Sequence, residues 1–588
     1  MEAMQTHEWL GKVDRVMTDL LREQPQELVL PLAAQVTASL RNIKAQLSQA
    51  TSDSKYRLYL PDTVLLSIFS FFENQGDFWA CSLVSKEWNK MASYELWKSP
   101  IFYSERALER FERIAVNTEK AELVSSLDLT LYNWEFWTNA RIGLLLESLP
   151  NLTSIRLPKL SSGLECPTIP KDILKNLRFY EYHDTTMDPI AGLRNLVTVL
   201  KNAPHLEELV LLRQNYANSF LGKRLIEMVE ILPTLKELRT LKFFGPRPGI
   251  DILRALILRA PNLKSLAIPR ESITEVFVET LFFSCPRIEV LNFAGCALST
   301  DTFDKLSDRL VELDMRGISQ RARDADLAIV RLLTGGKSLR KVNISGNEWL
   351  APGLTQLTKA ASLANLKELD FSQLDRMGNF AASFWENILI NCGNSIQVLK
   401  LSKNNTVDDK VGTLIAQYCS RLRYLDCTST SITDATIVAV VEACGSHIRH
   451  LYITDIHNRQ QTRRTLQAIT EHCKVLEELA ISTNGDIRPE SSIILEFIRK
   501  HGYRLRFLDI PHWPLIDIEL SAIARHCFMT IRYLGFQNSP ELSNQVFWQL
   551  MANCKRLRKL LVLPPPTSVR GGISQGLIAE AIEGIVFK

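Results

Sequence analysis

The sequence predicts an α/β protein: a curved solenoid of stacked strand, turn and helix units, with a parallel sheet inside and helices outside, preceded by a small all-α unit. Three observations carry that prediction. An L-x-x-L-x-L pattern, with other apolar residues admitted, recurs from Val124 to Leu557 in about 17 units at a mean spacing of about 27 residues. Helical patterns fill the intervals, as with Val411, Leu414, Ile415 and Tyr418 ahead of the unit that starts at Leu422. Cys285, Cys392, Cys419, Cys444, Cys473, Cys527 and Cys554 each stand three or four residues before such a start. Neither half of a strand-helix unit can hide its apolar side alone, so each must stack on the next.

The bulk properties fit. A chain of 588 residues is too long for one compact domain unless it is an elongated array. Its hydrophobic content of 46%, charged content of 23% and net charge of +4 suit a folded protein and give no general argument for nucleic acid. No apolar stretch is long enough to span a bilayer and the N-terminus lacks a signal-peptide core, so no membrane partner and a cytoplasmic or nuclear location are expected. Eleven cysteines in such a setting read as reduced thiols.

In chain order, residues 1–50 carry two apolar stripes at helical spacing, one from Trp9 to Leu21 and one from Leu32 to Leu47, followed by a polar linker at 51–57. Residues 58–98 are far more apolar. Pro61 suits a first helical turn and Asp62 its positive end, with Val64, Leu65, Ile68, Phe69, Phe71 and Phe72 behind them. Asp77 and Ser85 are placed to cap two further short helices. A chain below roughly 40 residues rarely buries enough surface to fold alone, so this unit leans on something else. Its surplus apolar surface implies a docking partner.

The stretch resembles the F-box. Leu60-Pro61, Ile68-Phe69, Asp77-Phe78, Val84-Ser85-Lys86-Glu87-Trp88 and Leu96-Trp97 match that motif along its length, with Thr63 where the family usually has an acidic residue. The resemblance implies binding to a Skp-type adaptor, and through it to cullin, by Leu60, Pro61, Val64, Leu65, Ile68, Phe69, Leu83, Val84 and Trp88. A connecting helical segment is expected at 99–123, the repeats at 124–565, and a capping tail at 566–588. The cysteine-bearing units resemble the cysteine-containing leucine-rich repeats found in F-box proteins.

Catalytic and metal chemistry find little support. There is no phosphate-cradling glycine loop and no H-E-x-x-H pattern. Cys444, His447 and His450 point apart in the repeat register, whereas zinc needs ligands converging at about 2.0 to 2.3 Å. The repeated cysteines share one structural slot, so no metal, no cofactor and no catalytic residue is expected. By period-2 alternation the third and fifth motif positions project from the inner face. In the late units these are Tyr424, Asp426, His450, Tyr452, Phe507, Asp509 and Tyr533, a mixed aromatic and acidic surface of the kind enriched at protein interfaces. Earlier units place Glu312, Asp314, Lys341, Glu368, Asp370 and Lys400 there, which a soluble face would carry anyway. The run Arg459 to Arg464 reads as a solvated helix face.

With the resemblance, the expected role is the substrate-recognition subunit of an SCF-type ubiquitin ligase, holding an adaptor at one end and an unknown target protein on the repeats. The alternative is a protein-binding scaffold that engages the adaptor without delivering a substrate.

Overall fold

In this computed structural model the described residues are Phe78, Cys81, Ser82, 86–102 and most of 105–581; the exceptions in that span include 158–168, 213–225 and 565–571. The chain divides into two compact units, Met1–Ile101 and Phe102–Lys588. In the first, the helix Lys86–Lys98 buries Trp88 and Ala92, one turn apart, and Phe78 and Cys81 are buried as well. Lys98 sits favourably in its last turn, and Pro100 disfavours helical backbone at Ser99, so the helix stops there.

The second unit is built on one parallel sheet of seventeen strands. They are β1 (Ser126–Asp128), β2 (Ser154–Arg156), β3 (Phe179–His183), β4 (Glu208–Leu212), β5 (Thr240–Phe244), β6 (Ser265–Ala267), β7 (Val290–Asn292), β8 (Glu312–Asp314) and β9 (Lys341–Asn343). There follow β10 (Glu368–Asp370), β11 (Val398–Lys400), β12 (Tyr424–Asp426), β13 (His450–Ile453), β14 (Glu478–Ile481), β15 (Phe507–Pro514), β16 (Tyr533–Gln537) and β17 (Lys559–Leu563). Each pairs in parallel with its neighbour in sequence, and the first three residues of every strand stand in the same register. Every strand starts two residues after a motif start read from the sequence, from Val124 before Ser126 to Leu557 before Lys559.

The three-residue core of a strand shows why. Its middle residue, such as Leu399, Leu425 or Leu451, is fully buried, while its flanking residues remain partly open. Burying one leucine side chain contributes roughly 1.5–3 kcal/mol, and the array repeats that contribution unit after unit. Consecutive helices pack on one another along the other side, as in the run Asp409–Tyr418, Asp434–Cys444, Thr462–His472, Ser491–His501, Asp517–His526 and Asn544–Asn553. Gly412 permits that closeness, since a Cβ there would lie 2.1 Å from the Thr436 Cγ2.

Polar side chains then tie one unit to the next. Asn347 donates to the carbonyls of Met315 and Ile344, both at 2.8 Å, and accepts from the Ile318 amide at 2.7 Å. Asn404 repeats the arrangement with Phe371 at 2.8 Å, Leu401 at 2.9 Å and the Leu374 amide at 3.0 Å. Each is fully buried and satisfies backbone groups that a turn away from the sheet would otherwise orphan. The residue before this slot has positive φ in unit after unit, first as Gly295, Gly317 and Gly346, later as Gln373, Lys403, Ser429 and Asp455.

Helix starts are linked as well. Asp409 accepts from the Thr433 amide at 2.8 Å and hydroxyl at 2.9 Å and from the Thr436 hydroxyl at 2.6 Å. Burial would raise its pKa, but these hydrogen bonds outweigh it and hold the carboxyl below its usual range. Past the last strand, Ile573 is buried and exchanges backbone hydrogen bonds with the side chain of Asn538, at 2.8 and 3.0 Å.

Candidate protein-binding surface

Alternation along the strands puts the first and third residues of each three-residue core on the open side of the sheet. In the late units the first position forms the row Tyr424, His450, Glu478, Phe507, Tyr533, and the third forms Asp426, Tyr452, Ala480, Asp509, Gly535. The structure therefore brings together all seven residues expected there.

The rings touch in sequence. Tyr424 lies 5.5 Å from His450 and 5.2 Å from Tyr452, centroid to centroid, Tyr452 lies 5.8 Å from Phe507, and Phe507 stacks on Tyr533 at 4.2 Å with planes only 10° apart. A lysine covers each end, Lys400 at 5.2 Å from the Tyr424 centroid and Lys559 at 5.4 Å from that of Tyr533. Glu478 interrupts the rings. It accepts the Tyr452 hydroxyl and lies 3.1 Å from His450 Nδ1, contacts that keep its pKa below the usual value, His450 contributing most.

The carboxylates of the third position also serve the backbone. Asp314, Asp370 and Asp426 each accept the amide two residues on, at 3.2, 3.1 and 2.9 Å. Asn292 and Asn343 do the same at 3.0 Å, so the job needs an oxygen acceptor and no charge. Burial raises the pKa of Asp314 and of Asp426.

In the earlier units opposite charges meet, both across strands and, for Arg316 with Asp314, within one unit. Lys341 bridges Glu312 at 3.3 Å and Glu368 at 3.2 Å, Arg316 meets Asp314 at 3.2 Å, and Lys400 is 3.9 Å from Asp370. Exposed pairs of this kind contribute about 0–1 kcal/mol each.

Other groups weighed in the sequence have separate surroundings. The Cys444 thiol faces the Ile415 carbonyl at 4.0 Å, His447 Nδ1 meets Ser446 Oγ at 2.9 Å, and His450 faces Glu478. Burial pushes the Cys392 and Cys473 thiols up to about 12. Arg463 pairs with Glu490 at 2.7 Å on an exposed surface.

Sequence reasoning missed Asn347, Asn404 and the distinct state of Asp509. That state was legible in principle. The amide that would bind Asp509, two residues on, belongs to Pro511, which has none. Of the expected adaptor-binding residues, Trp88 is described and is 6% exposed. Leu60, Pro61, Val64, Leu65, Ile68, Phe69, Leu83 and Val84 lie outside the described residues.

Comparison with known proteins gives a family match for one region. Residues 58–103 match the F-box-like family model. A solved structure titled as the Rad7 and Elc1 complex in yeast aligns at 19% identity and a TM-score of 0.39, over 53% of this chain and 76% of that one. The chain thus combines a region similar to the F-box-like family at 58–103 with a second unit built on a seventeen-strand parallel repeat sheet.

Proposed function

We propose that this chain is the non-catalytic, substrate-recognition subunit of an SCF-type ubiquitin ligase. The F-box-like domain docks a Skp-type adaptor and, through it, cullin; Leu60, Pro61, Val64, Leu65, Ile68, Phe69, Leu83, Val84 and Trp88 form or support that contact. The open face around Tyr424, Asp426, His450, Tyr452, Phe507, Asp509 and Tyr533 holds the target. The observation that carries this reading is the union, in one chain, of an F-box-like domain with a long sheet face bearing partly open aromatic residues.

The mechanism is proximity. A target held on the array keeps its lysines near the thioester of a charged conjugating enzyme, where the lysine amine displaces the thiol to form an amide. A stacked array suits this because it offers the target one long continuous surface.

Affinity capture of the tagged full-length chain tests the reading. Both a Skp-type adaptor and a cullin are expected, and Leu60→Ala with Ile68→Ala should lose both. Trp88 is a poor choice for this test, since its burial means that substitution would also remove core packing. Adaptor recovered without cullin would contradict the ligase role and leave the scaffold alternative.

A further inference from the structure

Asp509 differs from every other acid on the sheet face. Asp314, Asp370 and Asp426 each accept a turn amide, but at Asp509 the strand runs on to Pro514 and Pro511 offers no N–H. Its Oδ1 is covered and has no hydrogen-bond partner, and no ion pair joins it among the described residues. A buried acceptor left unmade is costly and calls for an explanation.

The surroundings form a recess. Asp509 stands in register between Ala480 and Gly535, two positions with almost no side chain. A Cβ on Gly535 would lie 2.2 Å from Asp509 Oδ1 and 3.2 Å from the Tyr533 ring, so only glycine leaves the acid its place. The stacked Phe507 and Tyr533 rings flank this floor in the neighbouring row, and Tyr452 stands beyond Ala480. Lys559 already lies over the Tyr533 ring, which shows that these ring faces accept a cation.

We propose that this recess seats a lysine or arginine side chain of the partner protein, its charge paired with Asp509 and its stem laid against Tyr452, Phe507 and Tyr533. This rests on the reading of the array as a target-binding face and names the chemistry of the target segment. Burial holds the Asp509 carboxyl above its usual range, with Lys559 and His512 opposing the shift, and an arriving cation would bring it down. Binding should therefore weaken as acid protonates Asp509.

The test uses the full-length chain and fluorescein-labelled oligoarginine, oligolysine and oligoglutamate peptides of equal length, read by anisotropy at physiological salt. The cationic peptides should bind in preference to oligoglutamate. Asp509→Asn and Tyr533→Leu should each weaken them at least tenfold, with Tyr533→Phe restoring most of the loss. Asp314→Asn removes the same charge from the same face and keeps its turn bond, and should cost less than twofold. Equal losses for Asp509→Asn and Asp314→Asn would reduce the effect to general electrostatics and overturn the proposal, as would no loss or a preference for oligoglutamate. Adaptor capture on the same preparations separates the two failures: adaptor and cullin retained while the peptide result fails leaves the receptor role standing.

Discussion

The two halves of the sheet face from β8 to β16 share one backbone and differ in what they do with it. From β8 to β11 the open positions carry charges of both signs that neutralise one another across strands, with Lys341 between Glu312 and Glu368. From β12 to β16 the same positions carry rings, three acids, of which Asp509 has a covered oxygen with no hydrogen-bond partner, and two small residues. Burial of the middle residue sets the strand in both halves, so the fold makes no demand on its neighbours beyond solubility and a turn acceptor. Residues that exceed that demand, Tyr424, Tyr452, Phe507, Tyr533 and Asp509, are where binding specificity can be written without disturbing the stack.

The largest expected effect falls on what the halves share. Asn404→Ala strips partners from two carbonyls and one amide, at about 1–3 kcal/mol for each group left buried and unsatisfied. Chemical denaturation should show a loss of several kcal/mol by that estimate, and a change within error would mean that water or a rearranged turn replaces the side chain.

A second effect separates the halves by pH. His501, buried on the helix leading to β15 with the Phe497 ring 5.0 Å away, has its pKa lowered to about 4, chiefly by burial. Because the folded value lies below the unfolded one near 6.5, its stability contribution is complete above pH 6.5 and is lost as pH falls toward 4. The full span amounts to about 3 kcal/mol, read as the pH dependence of the denaturation midpoint. His501→Gln should flatten that slope; an unchanged slope would place the titration elsewhere.

Smaller effects test the face itself. Phe507→Ala removes the stacked ring pair and should cost about 0.5–1.5 kcal/mol beyond lost area, while greatly reducing target capture. Lys341→Ala should cost no more than about 1 kcal/mol and leave capture intact. If Lys341→Ala were the more damaging to capture, the roles of the two halves would be reversed.

What could be read from the sequence follows the same division. The motif starts lie two residues before the strands because burial of Leu425 and its equivalents imposes a period that composition cannot disguise. Alternation then gave the rows of Tyr424 and Asp426 correctly. The ties between units were harder to see, because Asn347 and Asn404 share their slot with Ile318 and Leu374 in neighbouring units. Their role appears only when the carbonyls around them are in place. Asp409 reaching the next helix start is likewise a contact between residues 24 to 27 apart that no local pattern marks. Asp509 was within reach, since Pro511 two residues on already removes the amide its counterparts use.

The most direct test compares capture by two triple variants of the full-length chain. One carries Tyr424→Ala, Tyr452→Ala and Phe507→Ala; the other carries Glu312→Ala, Lys341→Ala and Glu368→Ala. Both should keep adaptor, cullin and the wild-type helical signal, while the first alone loses the proteins captured by the wild-type array. Retention of those proteins by the aromatic variant, or their loss from the charged one, would contradict the assignment of target binding to β12 through β16.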